Sequence, residues 1–161
     1  MKQHGYEVRV EWIGNDGEGT KTYKSYRRDH TITCDGKAQI HGSSDPHFRG
    51  DPSRYNPEEL LVASLASCHM LWYLHLCAVN RVVVVEYKDA PAGTMIEDRD
   101  GSGRFAQVTL HPTVTIENGC SVERAGALHE EAHRYCFIAN SVNFPVRVEP
   151  EIIVATAQVG S

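Results

Sequence analysis

At 161 residues the chain has the length of one ordinary domain, enough to bury a core without cross-links. A composition 41% hydrophobic and 23% charged excludes a disordered or fibrous chain. A net charge of -5 with no basic run argues against nucleic acid or an anionic membrane as a partner. Met1–Glu7 carries no apolar core and no cleavage site, so no signal peptide is expected and the chain reads as cytoplasmic.

Along the chain, Tyr6–Ile13 alternates large and charged residues, the mark of a half-buried strand. Gly14-Asn15-Asp16-Gly17 reads as a turn, with Thr20–Tyr26 as the returning hairpin partner. Thr31–Cys34 and Lys37–His41 flank Asp35-Gly36, a second hairpin signal, and a polar loop rich in Pro and Gly runs from Gly42 to Tyr55. Asn56-Pro57-Glu58-Glu59 then opens a helix: Asn as N-cap, Pro at the first helical position, carboxylates where the helix dipole favours them. It is expected to run to about Asn80 and is apolar on nearly every face, so it belongs at the centre of the molecule. Its length raises the question of a membrane span, but Ser64, Ser67, His69 and His75 interrupt it and favour a core helix. Val82–Tyr87 reads as a strand, Asp98–Gly103 as a turn, and Phe105–Leu110 and Thr113–Ile116 as strands or one long bent strand. A second helix fits Val122–Ala139 with Ser121 as N-cap, and a last strand runs from Val146 past Pro150 to Val154. The order describes an α+β fold in one domain spanning residues 1–161. A helix with no polar face needs covering on all sides, which makes a shared core in a dimer plausible.

Three groups could carry chemistry. The five cysteines, Cys34, Cys68, Cys77, Cys120 and Cys136, are odd in number and form no CxxC pair, so neither a disulfide framework nor an all-cysteine zinc site is expected. Cys68 follows the small residues Ala63, Ser64, Ala66 and Ser67, which allow a backbone or ligand to approach it; alone, such a cysteine also reads as packing. Cys136 follows His133 and Arg134, basic neighbours able to lower a thiol pKa, and it too could be packing. His129-Glu130-Glu131-Ala132-His133 matches the H-E-x-x-H pattern of helical zinc sites, but no third ligand follows, and a solvated His/Glu face explains it better.

The run Asn56-Pro57-Glu58-Glu59-Leu60-Leu61 leading through an Ala/Ser-rich stretch to Cys68 resembles the signature helix of the OsmC/Ohr family of osmotically inducible and organic hydroperoxide resistance proteins. Cys136 near the end of a later helix, followed by a last strand, matches the family's second cysteine. The resemblance implies an OsmC-like fold, an antiparallel sheet with a long buried central helix, and an intertwined homodimer with sites at its interface. It implies further that Cys68 attacks and Cys136 resolves, that Glu58 is the assisting glutamate, and that Arg49 is the assisting arginine, with Arg54, Arg27 and Arg28 as alternatives. Two departures stand out: the family's Gly-Cys-Pro context is Tyr135-Cys136-Phe137 here, and His69 follows Cys68 where an apolar residue is usual.

The implied chemistry is reduction of organic hydroperoxides and, more weakly, hydrogen peroxide, in oxidative stress defence, with no cofactor. A thiolate is required, and a guanidinium beside it would stabilise the anion, itself oriented by a carboxylate. Attack on the O–O bond gives a sulfenic acid that condenses with the second thiol. A dithiol, such as a lipoylated protein, then reduces the disulfide. On one straight helix Glu58 and Cys68 stand roughly 15 Å apart at ~1.5 Å rise per residue, so either Glu58 serves the partner's site or the helix breaks between them. Met70, Leu71 and Trp72 near Cys68 favour organic substrates. The rival expectation is a non-catalytic OsmC-like protein that binds an apolar ligand at the dimer interface.

Overall fold

The computed structural model describes residues 1–156 and divides the chain into two compact units, Met1–Leu61 and Val62 onward, with the boundary inside one long helix. The first unit holds a sheet of β1 (Arg9–Trp12), β2 (His30–Thr33) and β3 (Ile40–Gly42). The hairpin across Asp35-Gly36 forms as expected, with His30 opposite Gly42. Gly36 takes a φ of 74°, which a glycine adopts without steric cost.

The other predicted hairpin does not form. β1 pairs with β2, Arg9 opposite Thr33 and Trp12 opposite His30, while Thr20–Tyr26 is loop apart from one antiparallel bridge between Tyr26 and Asn15. The Asn15 side chain accepts from the amides of Gly17 (3.0 Å) and Gly19 (2.9 Å), satisfying that backbone locally in place of a strand ladder. Nor is β1 half-buried, since Val10 remains 66% and Trp12 43% exposed.

α1 (Pro57–Val79) starts where the sequence places it. The Asn56 side chain accepts from the Glu59 amide at 2.8 Å, and the Glu59 carboxylate accepts from the Asn56 amide at 3.1 Å, a reciprocal cap. Only one face of α1 is buried by its own chain: Leu65, His69, Tyr73, Leu76 and Cys77. Leu71 and Val79 are each 63% exposed. The burial expected all round is therefore met along one row.

In the second unit, β4 (Val84–Asp89), β7 (Pro112–Ile116) and β9 (Glu151–Val154) make one sheet, and β5 (Ala92–Glu97), β6 (Gly103–Leu110) and β8 (Val146–Val148) another. β4 with β7 and β5 with β6 are antiparallel, but β8 and β9 join in parallel, so these two sheets are mixed. The last strand expected to run through Pro150 is two strands in two sheets. Proline has no amide to give a ladder, and here it stands at the crossing between them. β5 gave no sequence signal because every residue in it is exposed, leaving no apolar alternation to read. Its Gly93 lies where a Cβ would meet Phe105 at 2.8 Å and Val62 at 2.9 Å.

α2 (Val122–Tyr135) begins on the predicted cap, the Ser121 hydroxyl accepting from the Arg124 amide at 3.1 Å. It ends four residues earlier than Ala139, because Cys136 turns extended at φ -64° and ψ 109°. Its Ala125, Leu128 and Ala132 pack with Tyr73, Leu76 and Cys77 of α1 and Val114 and Ile116 of β7. The helices run antiparallel: Tyr73 donates to the Ala125 carbonyl at 3.1 Å, and Arg124 to Asn80 at 2.7 Å.

Candidate functional site

The α1–α2 seam brings Cys68 and Cys136 together. Both are free thiols, Cys136 buried and Cys68 partly so, and Cys68 lies close enough to act on the Cys136 thiol. Burial, then contact with Cys68, pushes the Cys136 thiol up to about 11, against the lowering pull of the Ala139 and Ile138 amides. The Ala139 amide lies 3.4 Å from Cys136 Sγ. That donor exists because α2 stops at Tyr135 and the chain folds back over its own last cysteine.

Aromatic rings border the thiol pair. Trp72, one helical turn beyond Cys68, stacks on Tyr135 at 5.2 Å and meets Phe137 edge-on at 5.6 Å. Tyr135 and Phe137 are the bulky residues that flank Cys136 in the sequence, so the departure from Gly-Cys-Pro builds this cluster. Phe137 is 67% exposed, leaving an apolar ring at the solvent side of the dithiol.

Further along the seam lies a feature that residue patterns announced only in pieces. His69 Nε2 and His129 Nδ1 are 2.9 Å apart and fully enclosed, with Tyr73 stacked on His129 at 3.8 Å. Burial, then the charge of His133, lowers His69 to about 4; burial, then His69, lowers His129 to about 3. Both imidazoles are thus neutral at physiological pH. His129 and His133, the two histidines of the H-E-x-x-H match, line a cavity of about 270 Å³ with Glu130, Val148 and Pro150. Among the described residues no group of three or more His, Cys, Asp or Glu is arranged to hold a metal ion.

The charged candidates lie in the first unit. Asp29 is buried and receives Arg27, the Ser43 hydroxyl at 3.3 Å, and Arg54 Nε at 3.8 Å. Arg28 is occupied by Tyr23 and Tyr26, its guanidinium 4.5 Å and 4.0 Å over their rings. Arg49 is exposed, in the left-handed region at φ 65°, closing the short turn Pro46–Phe48, and its guanidinium makes no ion pair among the described residues. Arg54 differs: only 21% of its side chain is exposed, and its Nη1 is buried without a partner. Glu58 Oε2 is likewise buried and unpartnered. A buried unpaired guanidinium nitrogen and a buried unpaired carboxylate oxygen are costly unless something completes them. Of the four arginines, Arg54 is the one with a buried donor left without a partner.

The model of OsmC-like proteins matches residues 50–151. An OsmC-like protein of unknown function from Vibrio cholerae has 32% identity and a TM-score of 0.82, covering 92% of this chain and 99% of that one. An organic hydroperoxide resistance protein from Elizabethkingia anophelis superposes with a TM-score of 0.67 at 17% identity, covering 96% and 100% of the two chains. One from Bacillus subtilis does so with a TM-score of 0.59 at 20% identity, covering 91% and 98%. No curated protein matches the chain.

Proposed function

Starting from the fact that the chain belongs to the OsmC-like family, we propose that it is a thiol peroxidase that reduces organic hydroperoxides, with Cys68 attacking and Cys136 resolving. The observation that carries this reading is the closeness of the two thiols at the α1–α2 seam. Cysteines kept only for packing have no need to meet, whereas a resolving pair must. The aromatic border of Trp72, Tyr135 and Phe137 favours an apolar alkyl or aryl hydroperoxide over hydrogen peroxide.

The steps follow from thiol chemistry. The Cys68 thiolate attacks the outer peroxide oxygen, the O–O bond breaks, and the alkoxide leaves with a proton as the alcohol. Cys68 becomes a sulfenic acid, Cys136 condenses with it, and water departs as the disulfide forms. An external dithiol, small or carried on a lipoylated partner, restores both thiols. Arg54 takes the guanidinium role in preference to Arg49, because its free donor is buried, and Glu58 the carboxylate role. Both would be contributed to each site by the partner of a homodimer. The exposed apolar positions Leu71 and Val79 on α1 supply the surface such a dimer would cover.

Cys136→Ser tests the resolving role. One equivalent of cumene hydroperoxide should leave a Cys68 sulfenic acid in this variant, seen by dimedone adduct mass, while the wild type gives a Cys68–Cys136 disulfide. A wild type that forms no such disulfide removes Cys136 from the mechanism. Arg54→Lys should lower kcat/KM about tenfold or more by losing planar donors, with Arg49→Lys within about twofold of wild type.

A further inference from the structure

Asp29, immediately before β2, is the one acidic residue that is buried among the described residues. An enclosed carboxylate is costly without partners, and Asp29 has three. Its Oδ2 pairs with Arg27 Nη1 and lies 3.8 Å from Arg54 Nε, while its Oδ1 accepts from the fully buried Ser43 hydroxyl at 3.3 Å. Arg27 is anchored from behind. Its Nε and Nη2 donate to Asp16 at 3.1 and 3.0 Å, and its carbonyl accepts from Trp12 Nε1 at 2.8 Å. The backbone is pinned too: the Ile13 amide donates to the Asp29 carbonyl and the Arg27 amide to the Gly14 carbonyl, both at 2.9 Å. The Asp29 carboxylate therefore occupies a fixed point.

Arg54 lies near the end of segment 43–55, which is tied at its neck. The Ser43 amide donates to the Tyr55 carbonyl at 2.9 Å, and the Tyr55 amide to the His41 carbonyl at 3.2 Å. Inside the segment the Ser43 hydroxyl also accepts from the Asp51 amide at 3.0 Å. The same hydroxyl thus joins Asp29 to the stretch that carries Arg54. Asp51 faces Arg54 Nε as well, at 3.6 Å, but its side chain is 40% exposed against 7% for Asp29. Its Oδ1 is moreover taken by the Ser53 amide and hydroxyl at 2.8 and 2.7 Å. Water screens this outer pair more than the inner one. Both carboxylates engage the Nε edge of the guanidinium, and Nη1 is left buried and without a partner. A planar fork held along one edge keeps its remaining donors in a set direction.

We propose that Asp29 is a positioning residue: it fixes the Arg54 guanidinium by its Nε edge, so that Nη1 stays available to the reacting thiolate and peroxide. The proposal rests on the reading of Arg54 as the guanidinium of the peroxidase site, and Asp29 acts only through it. Arg27, an alternative for that guanidinium on sequence grounds, becomes its support: Asp16, Arg27, Asp29 and Arg54 alternate in sign from solvent inward. Misplacing a group in a site by about 1 Å costs up to about a hundredfold in rate, so the loss of Asp29 should be felt in catalysis and not in stability alone.

The test is a double-mutant cycle. Asp29→Asn keeps the shape and an acceptor for Ser43 but removes the charge, and should lower kcat/KM for cumene hydroperoxide about tenfold or more. In an Arg54→Met background the same substitution should change it by less than about twofold, because no guanidinium remains to orient. Asp51→Asn should stay within about threefold of the wild type. A purely structural Asp29 would lower the rate by the same factor in both backgrounds, and that result overturns the proposal. Side-chain NMR gives a readout independent of turnover. The Arg54 Nη signals, identified by their absence in Arg54→Met, should be resolved in the wild type by slow rotation about Nε–Cζ and should merge in Asp29→Asn. Signals that stay resolved in Asp29→Asn overturn the proposal as well. Should Asp29→Asn fail to fold, Ser43→Ala takes its place in the cycle, loosening the carboxylate while keeping its charge. Its expected loss is about threefold with Arg54 present and none with Arg54→Met. A wild type that consumes no hydroperoxide removes the peroxidase reading alone, and the Arg54 signals then decide whether Asp29 holds the guanidinium.

Discussion

Replacing Cys68 by serine is expected to lower dithiol-dependent consumption of cumene hydroperoxide by about a thousandfold or more, the scale on which loss of a covalent nucleophile acts. A serine hydroxyl does not ionise in the working range and lacks the polarisable sulfur that breaks an O–O bond. The fold should tolerate the change, since Cys68 is only partly buried and a hydroxyl is close to a thiol in size. The same assay on Cys136→Ser should show one fast turnover and then a stall, because the sulfenic acid forms but has no internal thiol to condense with. Steady turnover by Cys68→Ser ends the peroxidase reading. If neither the wild type nor Cys68→Ser turns over while both bind an apolar hydroperoxide analogue, the aromatic cluster at Trp72, Tyr135 and Phe137 is a binding surface alone.

Stability is expected to fall steeply on mild acidification. His69 and His129 are lowered to about 4 and about 3 in the folded chain, against an ordinary imidazole value near ~6.5 in the unfolded one. The unfolded state therefore binds more protons as pH drops below ~6.5, and stability is lost with falling pH until the folded-state values are reached. The full contribution is present above ~6.5. Between pH 7.5 and 5 the loss is about 2 kcal/mol for each histidine, from ~1.4 kcal/mol per pH unit. Urea midpoints at the two pH values measure it. The double variant His69→Leu, His129→Leu replaces both partners with apolar groups and should abolish most of the slope, whatever it does to absolute stability. An unchanged slope in that variant would assign the acid sensitivity to another group.

The α1 start was readable from local chemistry alone, because an Asn cap, a first-turn Pro and a Glu three residues on satisfy orphan amides without help from the rest of the molecule. The Ser121 cap and the Asp35-Gly36 hairpin were readable for the same reason. What failed were features decided at a distance. Thr20–Tyr26 has the composition of a strand, but β1 found its partner in β2, and Asn15 closed the intervening loop on itself. β5 has no buried face, so no alternation could betray it. The parallel docking of β8 and β9 depends on which strands were already in place.

The candidate site divides in the same way. The sequence by itself determined that Cys68 belongs on a helix of small residues and that Cys136 stands near the end of a second helix, since spacing and caps are local facts. Only the tertiary structure decided that these thiols meet, because antiparallel packing of α1 on α2 sets which turns face each other. The same packing turned His69, an oddity beside the cysteine, and His129, half of an apparent metal motif, into one buried hydrogen-bonded pair. Contacts within the first unit left Arg49 in solvent and Arg54 enclosed beside Asp29 and Asp51, a difference of burial that two arginines five residues apart cannot declare in sequence.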